Sequence, residues 1–323
     1  MNPMVLAVVM SVAMGAHSDT TINVTQGARL TLENYAGSID VQTWTKNAVR
    51  VEVDHNRHSE LTLDRDGDDI QIELESDRGV SGSADYRLTV PAWIALKLSG
   101  VYCDISAKGL KGKLEAETVQ GDVEVTGGDG YVSLTSVQGH VTVAGASGKL
   151  ELSSVNEGVD VTNVKGDLSV ESVNGAITMS KVQLNSLEAS TVNGTITYDG
   201  TFAKTGRYEM STHNGNVYVA IPADASLNIE VATYGGSFES TFTLPKTTDE
   251  KHHKRFSLQL GSGGADLDLE SFQGSILLHR PGEKVGESDE DNPKNGHEKI
   301  KVKSKPDKGS DEGSSDDDDD DGN

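Results

Sequence analysis

The stretch "TSVQGHVTVAGASGKLELSSVNEGVDV", residues 135–161, decides the fold, because its apolar residues return after eighteen positions. Val141 and Val143 reappear as Val159 and Val161, and a polar residue separates the members of each pair. An alternation with a period of two predicts strands that bury one face. A longer period superposed on that alternation predicts that the strands stack in successive coils of a solenoid.

The eighteen-residue spacing extends to both sides of this stretch and produces four apolar columns. A parallel stack explains the common register, because each side chain then lies on its copy one coil away, at about 4.8 Å. One inserted residue shifts the register before Leu187, and the columns then continue. The four columns are Val123, Val141, Val159 and Ile177; Val125, Val143, Val161 and Met179; Leu114, Val132, Leu150 and Leu168; and Val119, Val137, Val155 and Val173.

Glycines mark the corners between strands, where a side chain would obstruct the turn. Gly158 arrives one residue later than its counterparts, yet Val159 keeps the eighteen-residue spacing. The packing of the apolar columns therefore sets the period. The regular corners are 119–121, 137–139, 173–175 and 192–194, and degenerate copies occur at 212–215 and 271–274.

Two polar columns accompany the corners. We expect the amides to form a hydrogen-bonded ladder along the rod, with a ligand-binding row as the alternative, and the hydroxyl column to be structural as well. The amides are Gln120, Gln138, Asn156, Asn174 and Asn193, and the hydroxyls are Thr118, Ser136, Ser154, Ser172 and Thr191.

The chain divides into four segments by composition. Residues 1–18 carry a short apolar run and a small-residue cleavage site, as a signal peptide does, although no positive charge precedes the run. Residues 19–104 are a strand-rich region that caps or begins the solenoid, and 105–280 are the repeat domain of about nine coils, or about 40 Å. Residues 281–323 are an acidic tail too polar to fold, ending in six consecutive aspartates at 316–321.

Charge and cysteine content exclude several classes of protein. The formal net charge is −23 and no basic stripe offsets it, so we expect no nucleic-acid partner. No apolar stretch is long enough to span a membrane. Cys103 is the only cysteine, so it forms no intramolecular disulfide, and we expect it to pack as a small apolar group.

Three motifs that suggest ligand chemistry lack the residues which that chemistry needs. "GASGKLEL" (145–152) lacks the Ser/Thr and the following helix of a phosphate-binding loop. "GGDGYVSLT" (127–135) has Val132 where a calcium nonapeptide has its aspartate. His252 and His253 are adjacent and have no nearby third ligand, so a metal site there is not expected. His140 and His213 are expected at the surface or at corners.

An outward column of acids and serines offers the one pattern compatible with an enzyme. Its carboxylates are about two coils, or 9.6 Å, apart, a spacing that could suit an inverting glycosidase. The lysines at 113, 149, 165 and 181 are not expected to gather around these acids. Few aromatics are present to stack sugars, Trp44 and Trp93 among them. The column is Glu115, Ser133, Glu151, Ser169 and Glu188.

The motifs in their order resemble a bacterial family of exported "putative adhesin" domains of unknown function. The resemblance covers about residues 20–280. The segments that carry it are "YAGSIDVQTWT" (35–45), "YRLTVPAWIALKLSG" (86–100), "SVQGHVTV", "SVNGAITM", "TVNGTITY" and "GSGGADLDLESFQGSILLHR" (261–280). It implies a single-stranded right-handed parallel β-helix, and it implies no catalytic residues.

These observations favour a non-catalytic exported protein of the cell envelope or surface. We expect an adhesin-like or scaffold role through the outer faces of the rod, with a protein or glycan at the envelope as partner and with self-association as a further property. No catalytic, cofactor-binding or metal-binding residue is predicted, and no cofactor. The alternative is a carbohydrate-active β-helix enzyme, either a polysaccharide lyase or a hydrolase.

Overall fold

The computed structural model describes residues 17–56, 59–76, 83–245 and 255–283, together with the backbone of 298–300. All regular secondary structure within these ranges is β-strand, which confirms the all-β prediction. Most of the predicted signal peptide, the pair His252 and His253, and most of the acidic tail lie outside the described residues.

The strands follow one another at short intervals along the chain. They are β1 (His17–Asn23), β2 (Arg29–Trp44), β3 (Ala48–Asp54), β4 (Ser59–Asp66), β5 (Asp69–Ser76), β6 (Ser83–Pro91), β7 (Ala95–Lys108), β8 (Leu114–Gln120), β9 (Val123–Thr126), β10 (Asp129–Gln138), β11 (Val141–Ala144), β12 (Ser147–Ser154), β13 (Val159–Thr162), β14 (Lys165–Ser172), β15 (Ile177–Thr191), β16 (Ile196–Thr212), β17 (Val217–Ala220), β18 (Leu227–Thr233), β19 (Phe238–Ser240), β20 (Arg255–Leu260), β21 (Ala265–Ser271), β22 (Ile276–His279) and β23 (Glu298–Ile300).

In the centre of the molecule the strands pair in parallel with copies of themselves from adjacent coils. Leu150 lies between Val132 and Leu168, and Val141 lies between Val123 and Val159. These partners are eighteen residues apart in the sequence. The predicted apolar columns are therefore real contacts between neighbouring strands.

Each coil contributes one strand to each of two hydrogen-bonded ladders. Ladder A runs β4, β5, β2, β7, β8, β10, β12, β14, β15, β16, β21, β18, β20. Ladder B runs β1, β3, β6, β2, β7, β9, β11, β13, β15, β16, β17, β22, β19, β23. The long strands β2, β7, β15 and β16 continue around a corner and take part in both ladders.

The coils at both ends are stacked out of chain order. The first, β2, is inserted between β7 on one side and β5 and β6 on the other. The last, β21 with β22, is inserted between the coil of β16 and β17 and that of β18 and β19. Antiparallel strands then cover the outer coils: β4 and β3 at one end, and β20 and β23 at the other. The open parallel edges of the stack are thereby covered, as exposed sheet edges require.

The N-terminal region and the repeats share the same ladders. Strand β7 pairs with β2 on one side and with β8 and β9 on the other. The sequence boundary drawn between residues 104 and 105 thus falls inside one strand. The two segments also contribute to a single hydrophobic core.

Three of the four predicted apolar columns line this core, whereas the fourth lies on the outside. Leu150, Val141 and Val143 are fully buried. By contrast, Val119 and Val173 are 47% and 40% exposed. The fourth column follows the buried hydroxyl column by one residue, so its side chains point out of the corner, away from the core.

The buried hydroxyl column forms hydrogen bonds with the backbone of the corners. Each hydroxyl donates to the carbonyl oxygen of the corner residue of the preceding coil, as Ser136 does to Gly121 at 2.9 Å and Thr191 to Gly175 at 3.1 Å. These bonds satisfy buried carbonyl groups that would otherwise lack a partner. The column is therefore structural, as the sequence predicts. Its other members with the same bond are Thr118, Ser154, Ser172, Thr212 and Ser271.

Candidate functional site

Two outer surfaces of the rod have the size of a binding site, and the first is the outward side of ladder A, here called the charged face. It carries the acid and serine column that the sequence singles out. Contrary to the sequence expectation, two lysines do gather around these acids. Lys113 lies 2.5 Å from Glu115, and Lys149 lies 2.7 Å from Glu151. In each pair the two residues are two positions apart on one strand, so both side chains leave the sheet on the same side.

Tyr131 links the two ion pairs on the charged face. Its hydroxyl donates to Glu151 at 2.6 Å, and the ammonium groups of Lys113 and Lys149 lie 5.3 and 5.8 Å from its ring centre. Farther along, Arg207 lies 3.9 Å from both Glu209 and Asp268. Four acids of this face, Glu115, Glu151, Glu209 and Asp268, thus have cationic partners close by.

The pKa shifts on the charged face all favour the ordinary ionisation states. The hydrogen bond from Lys149 holds the pKa of Glu151 below its usual value, and the same contact raises the pKa of Lys149. Hydrogen bonding to Glu115 raises the pKa of Lys113, and hydrogen bonding to Glu151 raises that of Tyr131. A general acid or base at neutral pH needs the opposite kind of shift, toward neutrality.

A depression of about 390 Å³ lies on the charged face. Glu151, Glu188, Arg207 and Glu209 are among its lining residues, together with Ser169. Three members of the predicted acid and serine column therefore meet at one place. The sequence did not place Arg207 or Glu209 there, because the inserted residues after Gly200 hide their register.

The second surface is a row of outward side chains at the corner after ladder A, here called the ridge. Backbone hydrogen bonds connect neighbouring coils along this row, and each donor is the residue that follows a ridge member. Asn174 N donates to Val155 O, Asn193 N to Val173 O and Gln273 N to His213 O. With ten members at one coil each, the ridge is about 43 Å long. In spatial order the ridge is Tyr35, Val101, Val119, Val137, Val155, Val173, Val192, His213, Phe272 and Tyr234.

The ridge gathers the exposed apolar surface of the molecule. Within the described part of the chain, every large hydrophobic side chain that is exposed lies on the ridge or touches it. Tyr102 is the one beside it, with its ring centre 5.7 Å from that of Tyr35. At the other end His213 and Phe272 stack at 4.7 Å, and Tyr234 follows at 5.3 Å. An apolar patch of this extent on a polar surface is typical of a contact site for another molecule.

The amide column runs beside the ridge and forms the predicted ladder over part of its length. Asn174 donates to Asn156 at 3.1 Å, Asn193 to Asn174 at 2.9 Å and Asn214 to Asn193 at 2.7 Å. Since these amides bond to one another, the structural interpretation of this column is confirmed for these residues. Gln120 and Gln138 stack in register on the same column.

The remaining candidates do not assemble into a site. His140 and Asp160 form a pair at 2.9 Å on the surface. Val132, which stands in the place of a calcium ligand, is buried in the core. No three His, Cys, Asp or Glu side chains come together as a metal-binding group among the described residues. Nor does any helix in those ranges have the length and apolar character needed to cross a bilayer.

Cys103 is predicted to be chemically inert in the folded protein. It is 1% exposed, burial raises its pKa to about 11, and Asn34 Nδ2 lies 3.4 Å from its sulfur. Because the thiolate is the reactive form, we expect a thiol-specific reagent at about pH 8 to react at least about 100-fold more slowly with the native protein than with the unfolded protein. Complete native labelling within seconds would show that this corner opens readily.

The ladders, the single core and the covered ends define an all-β protein built from stacked parallel coils. The chain matches the Toastrack DUF4097 family over residues 10–279, and it belongs to that family. The resemblance to the bacterial "putative adhesin" domains is thereby confirmed. No protein of curated function is detectably related to it in sequence.

Three solved structures are similar to this chain at low identity. The first is described as a putative adhesin from Parabacteroides merdae ATCC 43184, at 14% identity and a TM-score of 0.38, over 82% of this chain and 96% of that one. A putative adhesin from Bacteroides fragilis NCTC 9343 has 11% identity, a TM-score of 0.38 and coverage of 81% and 96%. A putative lipid binding protein from Parabacteroides distasonis ATCC 8503 has 12% identity, a TM-score of 0.39 and coverage of 82% and 97%.

Proposed function

We propose that this protein is a non-catalytic, exported protein of the cell envelope or surface that binds another macromolecule through the outside of its rod, in an adhesin-like or scaffold role. The exposed ridge carries this proposal. Exposing a row of mostly valine and aromatic side chains about 43 Å long to water is unfavourable in free energy, and burial against a partner would relieve it. A small-molecule site would instead be concave and enclosed.

The proposal includes the finer architecture and the route of the chain. Each coil has about eighteen residues, and the chain follows a right-handed path. Connections between parallel strands of one sheet are nearly always right-handed. Residues 1–18 serve as a cleaved signal peptide. The acidic tail 281–323 stays unfolded over most of its length, but the prediction fails at β23 (Glu298–Ile300), which pairs with β19. The region 19–104 begins and caps the solenoid that continues through 105–280.

A carbohydrate-active enzyme is the second candidate, and the depression on the charged face is the observation that favours it. Its carboxylates and Arg207 resemble the groups that a lyase or hydrolase needs. Against this stands the pairing of Glu151 with Lys149, which lowers the pKa of that carboxyl where a general acid requires a raised one.

A polysaccharide-degradation assay separates the two candidates. We expect the purified protein to release no more reducing ends from a panel of envelope and matrix polysaccharides than its E151Q/E188Q variant does. In the same samples, the protein should sediment with isolated bacterial envelopes. Turnover that the double substitution abolishes would replace this proposal with the enzyme.

A further inference from the structure

We propose that the ridge docks a basic amphipathic α-helix of a protein partner, with the helix lying along the rod. This inference rests on the proposed function and specifies its partner. It stands on three observations: the uncompensated charge beside the ridge, the spacing of its side chains and the way its aromatic rings stack.

The formally charged residues that flank the ridge in sequence are all acids. The three residues on either side of each ridge member include seven acids and no lysine or arginine. All seven are exposed. They are Glu33, Glu117, Glu171 and Glu270 on one side and Asp104, Asp122 and Glu157 on the other.

These acids lie closer to the corner than the paired acids Glu115, Glu151 and Glu209, and Glu117, Glu171 and Glu270 share the outward side of ladder A with them. Within the described ranges, none of the seven forms an ion pair, whereas Glu115, Glu151 and Glu209 each do. Asp104 and Asp122 accept backbone N–H groups of the next coil, and Glu117 accepts the hydroxyl of Ser99. An apolar stripe between two rows of unpaired carboxylates is complementary to an apolar stripe between rows of Lys or Arg.

The spacing of the ridge favours a helix over an extended strand. Ridge side chains follow one another at about 4.8 Å along the rod. Apolar residues of an amphipathic helix recur every 3.5 residues, or about 5.3 Å. Side chains on one face of a strand recur only every 6.6 Å or so. A helix therefore stays in register with the ridge over several coils, and a strand does not.

The stacking of the aromatic rings disfavours a glycan on the ridge. The rings of His213 and Phe272 are nearly parallel, with an angle of 7° between their planes, and they stack on each other. One face of each ring is thus occupied by the other ring and is closed to a sugar. The exposed valines offer aliphatic surface, which suits the leucine stripe of a helix.

Binding of a designed helix tests the inference. The probe is a peptide of about 21 residues with Leu at positions a and d and Lys at e and g of three heptads, about 31 Å long. A matched probe carries Glu in place of Lys. We expect the lysine peptide to bind at least about tenfold more tightly than the glutamate peptide, with an advantage that shrinks as salt is raised.

Variants of the protein then locate the binding. In V119T/V173T/V192T the ridge becomes polar while β-branching is kept, and the lysine peptide should bind about tenfold more weakly or worse. In E117Q/E171Q/E270Q the affinity and its salt dependence should both fall. The control D129N/D167N/D266N makes the same change of net charge at the far end of the ladder A strands and should leave binding unchanged.

Several outcomes would overturn the inference. These are equal binding of the two peptides, full binding by the valine variant, or equal losses in the two charge variants. Dimerisation that only the valine variant abolishes would assign the ridge to a second copy of the chain. Failure of peptide binding with intact envelope binding defeats this inference alone, whereas polysaccharide turnover defeats the proposed function and leaves the peptide result standing.

Discussion

Replacement of Gly194 by alanine is expected to destabilise the protein by about 3 kcal/mol or more. Gly194 lies at a buried corner where successive glycines stack directly on one another. A Cβ atom there would lie 1.9 Å from the carbonyl oxygen of Gly175. The obstructing atom belongs to the backbone, so two hydrogen-bonded coils would have to separate. Urea denaturation followed by circular dichroism measures the change in unfolding free energy.

The Gly145→Asn variant is the matched control. Gly145 has a φ of +71° and nothing within 4 Å of its added Cβ. Asn163 holds the equivalent position one coil later with a φ of +55°, and asparagine tolerates this region better than most residues. We therefore expect a loss of no more than about 1 kcal/mol. Equal losses in the two variants would mean that general glycine flexibility, and not the close approach of coils, is what the corner requires.

Truncation of Leu150 to alanine should cost about 2–5 kcal/mol, whereas Val173→Ala should cost less than about 1 kcal/mol. Leu150 is fully buried and stacks between Val132 and Leu168, so its removal leaves a cavity. Val173 is 40% exposed on the ridge and leaves none. Both residues belong to apolar columns of the same repeat, and denaturation experiments on the two variants compare them directly.

This pair of variants also tests the assignment of the inner and outer columns. A large loss for Val173→Ala with a small loss for Leu150→Ala would contradict the described orientation of the strands. A loss in both would indicate that the ridge is covered in the protein as purified, for example by a second copy. Sedimentation of each variant at the concentration used for denaturation distinguishes that case.

The sequence predicts the repeat well because packing enforces it. Val141 and Val159 must stack in every coil, and a shift by one residue would expose the whole strand. The corner at 271–274 was identified for the same reason, since Ser271 keeps its place in the buried hydroxyl column beside Thr212. The residues that recur in the sequence are those that contact their counterparts in the adjacent coils.

The sequence does not settle which side of a corner a residue faces. Val119 is an odd number of residues from Leu114, which predicts the outer face, but an even number from Val123, which predicts the inner face. The turn at Gly121 breaks the period of two, so counting from either strand is valid only as far as the corner. The sequence therefore predicts that the ridge valines form a column, but it does not predict that this column lies on the outer surface.

The Lys–Glu ion pairs of the charged face follow from spacing within a strand and not from the eighteen-residue spacing between coils. Lys149 and Glu151 are two residues apart and so share a face, which the sequence alone could have indicated. Spacing within a strand does not predict the contact between Arg207 and Asp268. These residues lie on β16 and β21, which pair although more than 50 residues separate them in the chain.

The inserted end coils restrict how such a rod can change in length during evolution. In a simple stack a new coil can be added at either terminus. Here each terminal segment is held on both sides, so an addition there would have to displace a strand that is already bonded to two neighbours. Duplication of an eighteen-residue unit between β8 and β14 meets no such obstacle. Growth from the middle would lengthen the ridge in steps of about 4.8 Å and leave both closed ends intact, so relatives with longer or shorter rods should differ there.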